Sequence, residues 1–442
     1  MRNRNRKGSN LRDAKENQPT KKWYSLMNKV WDVPNMEAAL LEVKKNRGAP
    51  GIDGITIKGF EFGMEDNVQV LHQELKKKEY TPKPVKRVYI PKADGTQRPL
   101  GIPTVRDRVV QASVRRIMEP IFEKKFLDCS FGFRPGRDAH MAIKKIRKDL
   151  MDGYVYVIDA DLKSYFDTIP HEKLIAAIRE EVVDGTVIQL IKQFLKAGVM
   201  DGGSFHINDK GTPQGGVISP LLANIYLHPL DEIMTERGHR ITRYADDFVI
   251  CCKSQKGAER VLRSLTRFLD QELELTIHPE ETTIVNNLQE PFVFLGYEFK
   301  GGYWVSPSEK AQKKFKQKVK ELTKRNQTVD LEDLVKRKLN ALLRGWANYF
   351  GHFHGKVLFR KYDAWIRRRL RSVQLRSWRK KRKLHRELRR RKWKGDLPGI
   401  RMDRWRSSKS TPVHVAIPNE QLEAIGLVSL VEIFEKHHSE TE

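Results

Sequence analysis

The stretch ITRYADDFVICC, from Ile241 to Cys252, constrains this chain more than any other. Two carboxylates, Asp246 and Asp247, stand side by side between runs of β-branched and apolar residues that read as strands seeking burial. No basic residue lies directly beside the pair, and two carboxylates in a half-buried turn are costly without a counter-charge. Folding therefore has to bring a cation or a proton to this point.

A second acidic stretch, VIDADLKSYFD, offers Asp159 and Asp161 on one face at the end of an apolar strand. If the two stretches meet, several carboxylates share a small volume and cannot all ionise unaided. Oxygen donors with no His or Cys nearby favour Mg²⁺ over zinc. Two such ions about 3.5–4 Å apart are the recurring device for phosphoryl transfer to a nucleic-acid 3′-hydroxyl.

Composition agrees with a polyanionic partner. The 442 residues carry a formal net charge of +28, which a chain tolerates most readily when it binds nucleic acid. No apolar run approaches the roughly 18 residues of a membrane span. The N-terminus, MRNRNRKGSN, has no apolar signal region, and Cys129, Cys251 and Cys252 form neither a CxxC pair nor a zinc spacing. A reducing, cytoplasmic setting fits.

The charge is concentrated late in the chain. Lys356–Lys409 holds 23 Lys and Arg against four acids, a net +19, interleaved with Phe359, Tyr362, Trp365, Trp378, Trp393 and Trp405. Rings among cations suit a nucleic-acid surface, although most rings of this kind belong to cores. The run WIRRRLRSVQLRSWRKKRK places Trp365, Ile366, Leu370, Val373 and, at its end, Trp378 near one helical stripe. Arg367, Arg368, Arg369, Arg371, Arg379, Lys380, Lys381 and Arg382 cover the rest and are the candidate phosphate contacts.

Along the chain, residues 1–22 read as a basic disordered tail, and mixed α/β patterning begins at Trp23. KRVYIPKADGTQRPLGIP reads as a hairpin turning at Asp94-Gly95. FVFLGYEFKGGYWV reads as another. The composition switches near residue 305. Ser306-Pro307-Ser308-Glu309 has the form of a helix start, with Ser as cap, Pro in first position and Glu reaching back. LEDLVKRKLNALLRGWANYF then shows a helical stripe at Leu331, Leu334, Val335, Leu342, Trp346 and Tyr349. His352 and His354 have metal-like spacing but no third ligand, and the adjacent Cys251 and Cys252 read as inert strand residues.

The ordered series GAPGIDG, IPKADGTQRPLGIPTVRDRVVQ, SFGFRPGRDAH, DADLKSYFD, GTPQGGVISPLLANIYLHPLD, RYADDFVI, FLGYEF and GWANYF, followed by the basic stretch, resembles the group II intron reverse transcriptases, or maturases. The resemblance covers residues 23–435. It implies an α+β right-hand polymerase: fingers over residues 23–150, palm with remaining fingers elements over 151–305, a helical thumb over 306–372 and a basic DNA/RNA-binding domain over 373–442.

Carried over residue by residue, the resemblance makes Asp161, Asp246 and Asp247 the catalytic metal ligands, with the Leu162 carbonyl beside them. Asp159 is then a secondary acid. Phe166 matches the bulky gate against a 2′-hydroxyl, Tyr244 the residue near the primer terminus, Lys92 and Arg98 the triphosphate holders, and Gln214 the loop beneath the incoming nucleotide. GAPGIDG would lie near the template, and Arg137 would belong to a fingers element whose arginines can touch template phosphates. The implied cofactor is a pair of Mg²⁺ ions, with Mn²⁺ as substitute. The implied partners are intron RNA, an RNA template, a DNA primer or target, and dNTPs, in a bacterial nucleoid- or ribonucleoprotein-associated setting. The chain ends at Glu442 without the paired Cys and His of an endonuclease domain, as in the compact class that primes from an existing DNA 3′ end. Two rivals share the fold: a non-catalytic RNA-binding splicing factor, and a reverse transcriptase recruited to host DNA repair or phage defence. An RNA-dependent RNA polymerase fits less well, because of Phe166.

Overall fold

The computed structural model describes residues 22–91, 95, 97–207, 209–213, 215–324 and 330–439. Lys92, Asp94, Gln214 and all but the last residue of the expected tail lie outside them. The architecture is α+β, and by packing the chain forms two units. One comprises the chain up to Ile146 together with Tyr156–Ile284; the other comprises Arg147–Val155 and Val285–Glu442.

Two antiparallel hairpins organise the first unit. Strands Val85–Pro91 and Gln97–Ile102 pair antiparallel, and Val85 meets Val199 in parallel to extend that sheet. The second sheet runs in the order Arg240–Tyr244, Asp247–Cys252, Tyr156–Ala160, with the strand beginning at Thr283 on the far side. Its central strands carry Ile158, Phe248 and Ile250 at 0% exposure, so the β-branched runs of the sequence bury as expected. Helix Gln255–Leu273 covers it. Ser254 caps that helix by accepting from the Gly257 N–H, and Ala258, Val261, Leu265, Leu269 and Leu273 form one apolar face at helical spacing. Helix Ser219–Glu236 packs against the Arg240–Tyr244 strand. Thr104 caps helix Val105–Glu123 and, with the Tyr80 hydroxyl, bonds the buried Asp107. GAPGIDG lies against that cap. A Cβ on Gly51 would fall 2.7 Å from Thr104 backbone atoms, so the close approach requires glycine.

In the second unit, strands Phe292–Phe294, Tyr297–Lys300 and Trp304–Pro307 form an antiparallel sheet. This sheet packs with the helices that come after it: Tyr297 lies 5.0 Å from Phe350 and 5.3 Å from Phe353, ring to ring. The packing boundary therefore falls near residue 285, ahead of the compositional switch at 305. The helix start is also shifted. Pro307 pairs with Tyr297 as a strand residue, and Ser308, rather than Ser306, caps helix Glu309–Leu322 through the Ala311 N–H.

The helical stripe is re-phased. Leu334–Leu339 is a π-helical turn, whose extra residue rotates the succeeding helix, Asn340–Phe350. Leu334 and Val335 are buried as expected, but Leu339, Leu343, Ala347 and Phe350 then face inward, so the apolar face passes through Leu343 where Leu342 was expected. Trp346 stacks on Phe315 at 4.3 Å and touches Phe359 and Tyr362. Helix Lys356–Trp378 buries Ile366, Leu370 and Val373 along the expected stripe. Its buried Asp363 accepts from the backbone N–H groups of Leu430 and Val431, which anchors helix Leu430–Ser439. Among the described residues, no helix is long and apolar enough to cross a membrane.

Candidate active site

The two acidic stretches meet because their strands are neighbours. Tyr156–Ala160 pairs antiparallel with Asp247–Cys252, Asp159 opposite Val249 and Ala160 opposite Phe248. Asp161 follows the end of one strand, and Asp247 opens the other. Tyr244 pairs with Asp247 across a turn whose two central residues are Ala245 and Asp246. Ala245 takes φ +61°, which tightens the turn and sets the two carboxylates close together.

The electrostatics are those of a site short of positive charge. Burial pushes the Asp159 carboxyl up to about 6, helped by the charge on Asp161. Asp247 opens to solvent on one side, yet desolvation and the charges of Asp246, Asp161 and Asp159 push it up to about 7. Asp161 and Asp247 lie within hydrogen-bonding reach of each other, and that closeness adds to the upward push on Asp247. Burial raises Asp161, with Asp246 and Glu281 adding to it. Burial also raises Asp246, and the Arg98 and Arg243 guanidinium charges pull it partway back. Among the described residues no three His, Cys, Asp or Glu stand at coordination spacing. The donor set, all carboxylate and backbone oxygen, fits a hard divalent ion such as Mg²⁺.

Glu281 is the member that sequence reading missed. Segment Thr276–His278 is strapped to Asp161–Lys163: the His278 N–H donates to the Asp161 carbonyl (2.9 Å) and the Lys163 N–H to the Thr276 carbonyl (3.0 Å). These bonds leave the Leu162 carbonyl out of the ladder and bring the Glu281 carboxyl into hydrogen-bonding reach of Asp161. Arg243 also corrects an expectation. A cation does lie close to the acid pair, but it is buried and bound to Asp231.

Phe166 is buried at 9% exposure, edge-on to Tyr165 and Phe133. Its carbonyl accepts from the Thr212 N–H at 2.7 Å, which fixes Gly211, Thr212 and Pro213 beside it. Gly215, at φ +106°, lies so close to the Gln97–Ile102 strand that a Cβ would meet the Gly101 carbonyl at 2.3 Å. Arg98 stands exposed on that strand, and its charge reaches Asp246. Tyr244 is half-buried at the end of its strand.

The basic candidates divide. Arg379, Lys380, Lys381 and Arg382 are exposed. Arg367, Arg368 and Arg369 are half-buried: Arg368 lies 4.4 Å over the Trp405 ring, and Arg369 covers Trp365 and donates to the Thr323 carbonyl. Arg371 has a different role from the expected phosphate contact. At 3% exposure it donates to the Ile417 carbonyl and to Asn419, joining two segments of its own unit. Phe359 and Tyr362 are core residues. Arg134 and Arg137 bind Glu123 and Asp128, so both are engaged locally. His354 stacks on Trp304, and His352 lies 4.2 Å from His437, ring to ring.

With this geometry in view, comparison with known proteins is decisive. Residues 90–299 match the family described as reverse transcriptase (RNA-dependent DNA polymerase), and residues 312–393 match the group II intron, maturase-specific domain. Protein YkfC of Escherichia coli (strain K12) is 36% identical over 300 residues, covering 59% of this chain and 78% of that protein. The chain belongs to the group II intron reverse transcriptase/maturase family. The group II intron-encoded protein LtrA of Lactococcus lactis subsp. cremoris is 34% identical over 322 residues, and the match spans about half of that protein, 53%. Among solved structures, telomerase from Candida albicans in complex with an RNA fragment aligns at TM-score 0.43 and 13% identity, over 82% of this chain and 67% of that one. A reverse transcriptase domain and a maturase-specific domain imply divalent-metal use and binding of RNA and nucleotides.

Proposed function

We propose that this chain is the RNA-directed DNA polymerase of a mobile group II intron. It copies RNA into DNA at the Asp161, Asp246 and Asp247 cluster, and it binds intron RNA to assist splicing and retrohoming in a cytoplasmic ribonucleoprotein. In this reading residues 23–150 serve as fingers, 151–305 as palm with remaining fingers elements, 306–372 as thumb and 373–442 as a basic nucleic-acid-binding domain. The observation that carries it is the convergence of Asp161, Asp246 and Asp247, brought together from stretches remote in the chain by the pairing of Tyr156–Ala160 with Asp247–Cys252.

Asp161, Asp246, Asp247 and the Leu162 carbonyl would hold two Mg²⁺ ions, for which Mn²⁺ can substitute. When bound, such ions polarise the attacking 3′-hydroxyl and the departing pyrophosphate oxygen. The chain's own residues do the rest. Tyr244 packs beside the primer terminus, and Arg98, together with Lys92, binds triphosphate oxygens. The Phe166 ring occupies the volume a 2′-hydroxyl would need, so the incoming nucleotide is a deoxynucleotide. Gln214 lies beneath it. Arg379, Lys380, Lys381 and Arg382, with the half-buried Arg367–Arg369, contact RNA or DNA phosphates.

The test uses the full chain, a primed RNA template, dNTPs and Mg²⁺. Asp246→Ala or Asp247→Ala should reduce cDNA synthesis to below about one per cent of wild type, with RNA binding retained. Substantial synthesis by either variant removes that residue from the metal site.

A further inference from the structure

Arg243 is fully buried, at 0% exposure. A guanidinium without solvent is costly unless its N–H groups find acceptors. Nε and Nη2 donate to the two carboxylate oxygens of Asp231, itself 0% exposed. Nη1 donates to Asn224 Oδ1 and to the Ala245 carbonyl, both at 2.9 Å. Asp231 meets most of the Arg243 charge, and what remains draws the Asp246 carboxyl partway down. Arg243 also adds geometry.

The carbonyl that Arg243 grips belongs to the peptide joining Ala245 to Asp246. Ala245 has φ +61°, a conformation a non-glycine residue holds only when its surroundings enforce it. Those surroundings are specific. Asp231 and Asn224 sit two turns apart on helix Ser219–Glu236. The Asn224 side chain also donates to the Gly132 carbonyl at 2.8 Å, and a Cβ on Gly132 would fall 2.3 Å from the Ala245 nitrogen. The Arg243 backbone is bonded on both sides, to Cys129 and Phe131. Helix Ser219–Glu236 and residues 129–132 thus converge on one peptide plane, from which the two carboxylates hang.

We propose that Arg243, clamped by Asp231, is the positioning residue of the carboxylate turn: it fixes the Ala245–Asp246 peptide and so aims Asp246 and Asp247. This rests on reading Asp161, Asp246 and Asp247 as the metal-holding set, and the test keeps the two ideas apart. The paired variant Asp231→Leu/Arg243→Met replaces the buried ions with apolar side chains, a change that often preserves a fold, while leaving the Ala245 carbonyl without its donor. Arg243→Lys keeps the charge but cannot reach Asp231 and Ala245 together. Synthesis on primed RNA is measured against Mg²⁺ and dNTP concentration, beside primer–template affinity, thermal melting and Asp247→Ala.

The paired variant should melt cooperatively and bind primer–template as wild type does. Its KM for dNTP should stay within about twofold, while kcat falls at least about tenfold and the half-saturating Mg²⁺ concentration rises. Arg243→Lys should lie between. A kcat and Mg²⁺ response within about twofold of wild type in the paired variant, while Asp247→Ala is inactive, overturns the positioning role and leaves a plain core ion pair. Activity surviving in Asp247→Ala overturns instead the metal-site reading beneath it. If the paired variant does not fold, Arg243→Lys decides: lower kcat at unchanged KM supports the role, and wild-type kcat overturns it.

Discussion

Phe166 has a packing role in the structure and, in the function proposed above, a selectivity role as well. The ring is almost fully buried against Tyr165 and Phe133, and its own backbone holds the Gly211–Pro213 segment. A buried aromatic ring in contact with others is ordinary core, and truncating one costs about 3–5 kcal/mol. Selectivity is the added claim. Phe166→Ala should lower the melting temperature and also lower discrimination against ribonucleotides by about tenfold or more, read as the ratio of kcat/KM for dNTP and rNTP. Unchanged sugar selectivity in the folded variant would return Phe166 to the core alone. The acids give the complementary case. Asp161, Asp246 and Asp247 were singled out by motif and chemistry, whereas Glu281 lies in HPEETT, an acid pair with no apolar strand runs around it to mark it for burial. Backbone pairing between Leu162 and Ile277 brings it there.

Elements follow local signals until a neighbour re-phases them. The Asp247–Cys252 and Tyr156–Ala160 strands matched their apolar runs, and Ser254 and Thr104 capped helices as such residues do. The π turn at Leu334–Leu339 has no signature in a pattern read at a period of 3.6, so the inward face moved by one residue. The short strand Trp304–Pro307 carries a prediction at this scale. His354 stacks on Trp304 at 4.1 Å, and its Nδ1 lies within hydrogen-bonding distance of both the Val305 N–H (3.1 Å) and the Val305 carbonyl (3.2 Å). Burial holds the imidazole below its usual pKa. Burial favours the neutral ring, against the smaller opposing pull of the Val305 backbone, so its contribution is complete above the unfolded imidazole value, about 6.5. It is lost as pH falls through the lower folded value. The melting temperature should therefore drop on acidification below about pH 6.5, and His354→Gln should flatten that dependence. An equal slope in both proteins would remove His354 as its source.

At the scale of the whole molecule, charge governs the encounter with RNA. A formal +28, of which +19 lies in Lys356–Lys409, gives a long-range attraction to any polyanion. The structure narrows which cations can reach phosphates: Arg371 is committed internally, whereas Arg379, Lys380, Lys381 and Arg382 are exposed. Affinity for a single-stranded RNA probe should fall steeply as salt rises. Replacing those four by Ala should reduce the slope of log K against log salt by about 0.7 for each phosphate no longer neutralised, or about 3 if all four engage. An unchanged slope would place the RNA footprint elsewhere on the chain.

The sequence alone determined the family, the polymerase chemistry and the strands that carry the acids, because catalytic motifs and β-branched runs are local, and local patterns survive in a string of residues. It could not determine which charges are available. Arg243, Arg371 and Glu281 look alike in sequence to any surface charge, and each is committed by a partner remote along the chain. Only the tertiary structure decided that Arg243 would lie beneath the carboxylate turn, that Glu281 would reach Asp161 and that Arg371 would point inward. The physical reason is that the environment of a charge is set by the neighbours that desolvate and bond it, and those neighbours are chosen by folding rather than by adjacency.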